Sequence, residues 1–145
     1  MSSTPPAGSE SAPGARRPTL VLCWGIDGTL LTTARAGIFA WEDAIAEHLG
    51  EEVSLQDYET AGLTDIEIGR MLVEEITGEP DPARADAMTA RYGELLPSRL
   101  HRRQGRALGN VKAILEALRD ESDVLSILLT GNIAAGARAK LEHYG

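Results

Sequence analysis

Two short apolar runs, far apart in the chain, restrict its fold more than any other feature of the sequence. The first covers residues 20–24 and the second residues 124–129, and both are continuous rather than alternating. Continuous runs of this length are typical of strands buried on both faces of a parallel sheet. Each run ends in a polar, glycine-containing loop, at residues 25–29 and 130–132. Because open α/β sheets bind ligands at the carboxyl ends of their strands, we expect both loops to lie at a ligand site.

The stretch between the two runs has helical periodicity. Apolar residues recur every three or four positions, and helix-start and helix-stop residues separate the segments. Gly50 ends a first helix, residues 64–67 form a capping box for a second, and Asp81 with Pro82 opens a third that ends or kinks at Pro97. Further helices are predicted at residues 111–118 and at about residues 133–143.

These elements predict an α/β fold with an inserted helical unit. Residues 37–100 are too many for a simple crossover between parallel strands, so we interpret them as a helical cap on an α/β core. The core then comprises residues 19–36 and 101–145. Residues 1–18 are rich in Ser, Pro, Gly and Ala and are predicted to be a disordered tail.

Charge and composition exclude several classes of function. The 145 residues include 22 acidic and 14 basic side chains, a net charge of −8, which argues against a general nucleic-acid binder. No apolar run approaches the length of a membrane span. The single cysteine, Cys23, has no partner for an internal disulfide and is expected to be a small buried hydrophobe. We therefore expect a cytoplasmic protein, with Trp24 and Trp41 in its core and no metal-binding pattern among its three histidines.

Three segments resemble the haloacid dehalogenase-like hydrolases, and more narrowly their phosphoglycolate-phosphatase-like members. Residues 24–31, WGIDGTLL, resemble the first motif of that family, a strand followed by Asp-x-Asp-Gly-Thr-Leu. Residues 128–132, LLTGN, resemble the second motif, an apolar strand that ends in Ser or Thr. Residues 62–65, GLTD, are similar to a segment of the family's caps. The resemblance implies a Rossmann-like core, with its parallel sheet incomplete here, and an inserted helical cap.

The resemblance also implies a phosphatase that acts on a small phosphate monoester through an aspartyl-phosphate. Asp27 matches the general acid/base, and its backbone carbonyl matches a ligand of the magnesium ion. Thr130 matches the hydroxyl that holds the phosphoryl group, and Gly131 and Asn132 extend this phosphate-binding loop.

Lys140 is the candidate cation that neutralises the phosphate, and Arg138 is its rival. A solvated position on the last helix is the alternative interpretation of Lys140. Four arginines, at positions 99, 102, 103 and 106, form a basic cluster with His101. We interpret that cluster as a solvated connector, and its alternative role is to attract an anionic substrate.

Two departures from the family pattern bear on activity. Gly25 stands at the nucleophile position, so the attacking carboxylate and one metal ligand are lost. The chain also ends at Gly145, before the acidic loop that completes the metal site in the family. We therefore expect no turnover by the chain as written, and we expect it to be a fragment or to associate through an open sheet edge.

Three functions stay open at this point. The first is a phosphatase homologue whose intact form hydrolyses a small phosphorylated metabolite. The second is a pseudo-enzyme that binds phosphate or a partner without catalysis. The third is a helical interaction module on a degenerate core.

Overall fold

The computed structural model describes residues 19–145 as an α/β fold, which confirms the predicted fold class. The predicted disordered tail, residues 1–18, lies outside the described residues. The strands and helices follow one another as β1 (Leu20–Trp24), β2 (Leu31–Thr32), α1 (Gly37–Leu49), α2 (Asp65–Thr77), α3 (Pro82–Leu95), β3 (Arg106–Ala107), α4 (Val111–Arg119), β4 (Val124–Leu128) and α5 (Ala134–Tyr144). Two short 3-10 helices, Leu96–Ser98 and Leu100–Arg102, connect α3 to β3.

Strands β1 and β4 pair in parallel, from Leu20 opposite Val124 to Trp24 opposite Leu128. Their carboxyl ends therefore lie at the same edge, and the loops that follow them start side by side. Strands β2 and β3 form a second, antiparallel pair of two residues each. Two residues are too few to produce an alternating sequence pattern, which is why the sequence did not predict this pair.

The three helices between residues 37 and 95 begin and end where local sequence predicts. Gly50 follows α1 with a φ of 73°, a left-handed conformation that glycine adopts without steric cost. The Thr64 hydroxyl accepts the Glu67 N–H while the Glu67 side chain accepts the Thr64 N–H, so the predicted capping box is confirmed. Asp81 caps α3, Pro82 occupies its first turn, and the helix gives way to a 3-10 turn at Leu96–Ser98, which contains Pro97.

The hydrophobic core lies mainly among the helices. Helix α3 packs against α1, α2 and α5. At the centre of the core the Trp41 ring stacks on the Tyr92 ring, with centroids 4.2 Å apart and planes 11° from parallel. Trp41 is therefore a core residue, as predicted, whereas Trp24 is only half-buried.

The prediction that β1 and β4 are buried on both faces is wrong. Leu20 is 49%, Leu125 45% and Leu128 49% exposed. Within residues 19–145 this sheet has two strands, and helices α1–α3 pack on one another instead of covering both of its faces. Cys23 is consequently exposed rather than a buried hydrophobe.

Helix α4 is similarly uncovered, because none of its residues is buried. Ile114 and Leu115 on its apolar side are 44% and 37% exposed. No helix of residues 19–145 combines the length and the apolar character that crossing a bilayer requires.

Candidate functional site

The loops after β1 and β4 meet through their side chains. The Asn132 amide nitrogen donates to Asp27 Oδ2 at 2.9 Å and to Thr130 Oγ1 at 2.7 Å. The Asn132 backbone N–H also donates to Thr130 Oγ1, at 3.2 Å. Asn132 thus joins two residues that the chain separates widely, and the parallel pairing of β1 with β4 makes this contact possible.

Lys140 completes this cluster from helix α5. Its ammonium donates to Asp27 Oδ1 at 3.0 Å, to Asp27 Oδ2 at 2.7 Å and to Asn132 Oδ1 at 2.5 Å. The Lys140 side chain is 8% exposed, so the interpretation of Lys140 as a solvated helix residue is wrong. Its rival Arg138 is exposed. We call Asp27, Thr130, Asn132 and Lys140 the polar cluster.

The two predicted site glycines lie beside the polar cluster. A Cβ at Gly25 would lie 3.1 Å from Thr29 Oγ1, so the Cβ alone requires a small shift of Thr29. A Cβ at Gly131 would lie 3.1 Å from the Thr64 Cα. Gly131 therefore lets the start of helix α2 approach the loop after β4, a structural reason for this glycine in addition to its predicted phosphate role.

Asp65 joins helix α2 to the same loop, a role that sequence reasoning missed. Its N–H donates to the Gly131 carbonyl at 2.9 Å, and its Oδ2 accepts the Ile133 N–H at 2.8 Å. Asp65 is 6% exposed. An acidic residue in the first helical turn is explained by the helix dipole alone, so the sequence carried no signal for this tertiary contact.

Burial is the main influence on the Asp65 carboxyl and raises its pKa. The Ile133 N–H and Lys140 oppose this rise, and the negative charge of Asp27 adds to it. The polar cluster and Asp65 therefore influence one another electrostatically.

Substitutions of Asp65 should separate its charge from its hydrogen bond. The pKa of Asp65 is higher in the folded state than its ordinary value of 3.8. The free energy of unfolding therefore falls as the pH rises from 3.8 through the raised pKa. Asp65→Asn keeps an acceptor oxygen for Ile133 and removes this pH dependence. Its stability relative to wild type should therefore increase as the pH rises from the ordinary pKa of 3.8 through the raised pKa, measured by urea denaturation at a series of pH values.

Asp65→Ala is the matched variant, because it also removes the acceptor. We expect it to lose about 1–3 kcal/mol, since the Ile133 N–H is left without a partner. Equal losses in the two variants, or a difference from wild type that does not change with pH, would contradict this role of Asp65.

A cavity of about 630 Å³ opens beside the polar cluster. One wall is polar and consists of the loops after β1 and β4 with Lys140. The opposite wall is largely apolar and includes Ile38, Trp41 and Leu55. A volume of this size suits a small organic molecule.

Arg35 and Tyr58 also line the cavity, and hydrogen bonds hold Arg35 in place. Arg35 donates through Nη2 to the carbonyls of Leu55 and Tyr58, at 3.2 Å and 2.8 Å. Burial, and secondarily Glu75, raises the pKa of Tyr58 to about 12, so its hydroxyl keeps its proton at neutral pH. The wall therefore offers the Arg35 cation in addition to the polar cluster, whereas the Tyr58 hydroxyl oxygen is itself buried.

The basic cluster of the connector does not line the cavity. Arg99 forms an ion pair with Asp43 at 2.6 Å, and the Arg102 guanidinium lies 3.9 Å from the centre of the Phe39 ring. Arg103 donates to the Ala34 carbonyl and to Gln56. These three arginines therefore contact α1 and the segments on either side of it. Their alternative role of attracting a substrate into the cavity gains no support.

The polar cluster by itself does not fit magnesium, the cofactor that the resemblance implies. Mg²⁺ requires an octahedral shell of oxygen ligands. Gly25 supplies no side chain, and both carboxylate oxygens of Asp27 already accept from Lys140. Among residues 19–145, no group of three or more His, Cys, Asp or Glu side chains is arranged to hold a metal.

No protein-family model matches the sequence, and no curated protein matches it either. Solved structures do match the fold. A hydrolase from Pseudomonas syringae superposes with a TM-score of 0.63 at 17% identity, over 86% of this chain and 55% of its own. A predicted phosphoglycolate phosphatase from Haemophilus somnus 129PT gives a TM-score of 0.56 at 16% identity, over 91% of this chain and 60% of its own.

CbbY from Rhodobacter sphaeroides, solved in complex with phosphate, gives a TM-score of 0.56 at 13% identity, over 84% of this chain and 55% of its own. The chain thus spans between 55% and 60% of the length of these three proteins. Identities this low show a shared fold only. The chain therefore shares an α/β, Rossmann-like fold with these three proteins, and its parallel sheet has two strands within residues 19–145.

Proposed function

We propose that this chain binds a small phosphate monoester in the cavity and does not hydrolyse it through an aspartyl-phosphate. The observation that carries the proposal is the polar cluster at the cavity wall, combined with glycine at the nucleophile position. The fold it shares with a predicted phosphoglycolate phosphatase, and with CbbY solved in complex with phosphate, supports the same ligand chemistry.

The polar cluster supplies the groups that a phosphoryl group needs. The Thr130 hydroxyl and the Asn132 amide are donors, and the Lys140 ammonium is a positive charge in a largely buried position. Lys140 is neutralised by Asp27 when no ligand is bound. Since the Asp27 side chain is 46% exposed, it can turn toward solvent and yield its place on the ammonium to a phosphoryl oxygen.

The same residues lack what hydrolysis needs. By the resemblance, Asp27 corresponds to the general acid/base residue. That residue transfers protons during hydrolysis but does not form the covalent bond to phosphorus. The covalent bond requires a carboxylate at position 25, where the chain has glycine. Removing one member of a set of residues that act together usually costs several orders of magnitude in rate.

Calorimetric titration with phenyl phosphate tests the binding proposal. We expect saturable binding by the wild type and at least about a tenfold loss in Thr130→Ala, the effect of one hydrogen bond to a charged group. Thr77→Ala is the control, because the Thr77 hydroxyl bonds only to nearby backbone of its own segment. Absence of binding to the wild type, or equal affinity in the two threonine variants, would refute the proposal.

Turnover is tested separately with an aryl phosphate and magnesium. We expect the rate of the wild type to equal that of Thr130→Ala, and Gly25→Asp to restore little activity, because the residues around position 25 do not form a metal site. Turnover by the wild type well above the Thr130→Ala background would show that this chain is an enzyme.

We further propose that the chain associates with itself through β1 and β4. The exposed leucines of these strands support this, because uncovered apolar strands favour contact with another chain. Light scattering during gel filtration should show a mass that increases with concentration, and Leu125→Lys should reduce it. A monomeric mass for both proteins at every concentration would argue against this association.

A further inference from the structure

The Lys140 ammonium is surrounded by oxygen atoms in the way a bound cation would be. Three oxygens, two from Asp27 and one from Asn132, lie between 2.5 and 3.0 Å from Nζ. An ammonium group has three N–H donors, so these contacts satisfy all of them. Lys140 is also one of the few charged side chains buried within residues 19–145, at 6% exposure of the whole residue.

The oxygens around Lys140 are those that a divalent ion at the polar cluster would need. Asp27 is the carboxylate of the cluster, and an ion there would have to displace the ammonium from it. Asp65, the other carboxylate described beside the polar cluster, already accepts the Ile133 N–H through Oδ2. A lysine ammonium and a divalent ion close together at one carboxylate would repel each other strongly, because a partly buried site screens charge poorly.

We propose that the Lys140 ammonium is the resident cation of this site, and that the site binds a phosphoryl group without a divalent metal ion. The inference rests on the proposed function for its ligand, and it goes beyond that function because it excludes a divalent ion from the site. It also separates this chain from the magnesium dependence that its resemblance implies.

The ligand side of the proposal is tested by titrating phenyl phosphate in EDTA and in excess magnesium chloride. We expect the two wild-type affinities to agree within about twofold, because the ammonium is present in both solutions. Lys140→Met should lose about tenfold or more in both media. Lys112→Met is the matched control, since Lys112 is the other lysine of the chain and lies on the exposed helix α4.

Binding by the wild type that needs magnesium, or that magnesium tightens about tenfold, would overturn the inference while leaving the proposed function intact. Lys140→Met that binds phenyl phosphate as well as Lys112→Met does would overturn it equally. Absence of binding in both media would instead refute the proposed function.

A second readout does not depend on phosphate. Mn²⁺ added to the ligand-free protein, followed by electron paramagnetic resonance, reports directly on a divalent-ion site. We expect the wild type to bind no Mn²⁺ at the polar cluster, so Asp27→Asn should leave the spectrum unchanged. Lys140→Ala should gain Mn²⁺ binding, because it frees the Asp27 carboxylate and the Asn132 oxygen. Wild-type Mn²⁺ binding that Asp27→Asn abolishes would overturn the inference even where phosphate does not bind.

Discussion

Trp41→Ala is expected to lower the free energy of unfolding by about 3–5 kcal/mol, the usual cost of removing a buried tryptophan ring. Trp41 is 4% exposed and stacks on Tyr92 at the centre of the helical core. The substitution removes this stacking and leaves a space that the neighbouring helices cannot close without moving. Urea denaturation followed by circular dichroism measures the change.

Two variants control this prediction. Trp41→Phe keeps a ring against Tyr92 and should lose distinctly less than the alanine variant. Trp24→Ala should also lose less, because Trp24 is only half-buried at the end of strand β1. A Trp41→Ala protein within about 1 kcal/mol of wild type would show that the helical core is not packed as described.

Gly105→Ala is expected to lower the free energy of unfolding by about 1–3 kcal/mol, with larger losses where the backbone cannot adjust. A Cβ at position 105 would overlap the carbonyl oxygen of Thr32 and the hydroxyl of Tyr144. The first of these atoms is backbone, so relief requires β2 or β3 to shift. Strand β2 follows the loop that carries Asp27, and the shift should therefore also weaken ligand binding.

Gly109→Ala is the matched control for this glycine. A Cβ at position 109 would meet no heavy atom within 4 Å, and Gly109 does not have a positive φ. Its replacement should leave stability unchanged or raise it slightly, because alanine reduces the freedom of the unfolded chain. Equal losses at the two positions would show that crowding at residue 105 is not the cause.

The sequence predicted those parts of the fold that local residues determine. The limits of α1–α3 depend on Gly50, Thr64 and Asp81, each of which acts on the residues next to it. The meeting of the loops after β1 and β4 follows from one additional rule, that parallel strands present their carboxyl ends at one edge. The roles assigned to the loop residues stay predictions until ligand binding is measured.

The features that the sequence did not predict depend on tertiary packing. An apolar run shows that a strand can be buried, but the exposure of Leu125 depends on what covers the sheet. Helical spacing places Lys140 on a face with Gly136, yet only the packing of α5 shows that this face is buried. The contact between Asp65 and Ile133 joins segments that no local pattern connects.

The central claim is that two loops, separated by about a hundred residues of sequence, form a single anion site. Nuclear magnetic resonance of the amide groups during a titration with inorganic phosphate tests it most directly. The signals of Gly28, Gly131 and Asn132 should shift together and give one dissociation constant, and Lys140→Met should weaken all three responses equally. Shifts confined to one loop, or different dissociation constants for the two loops, would contradict a shared site.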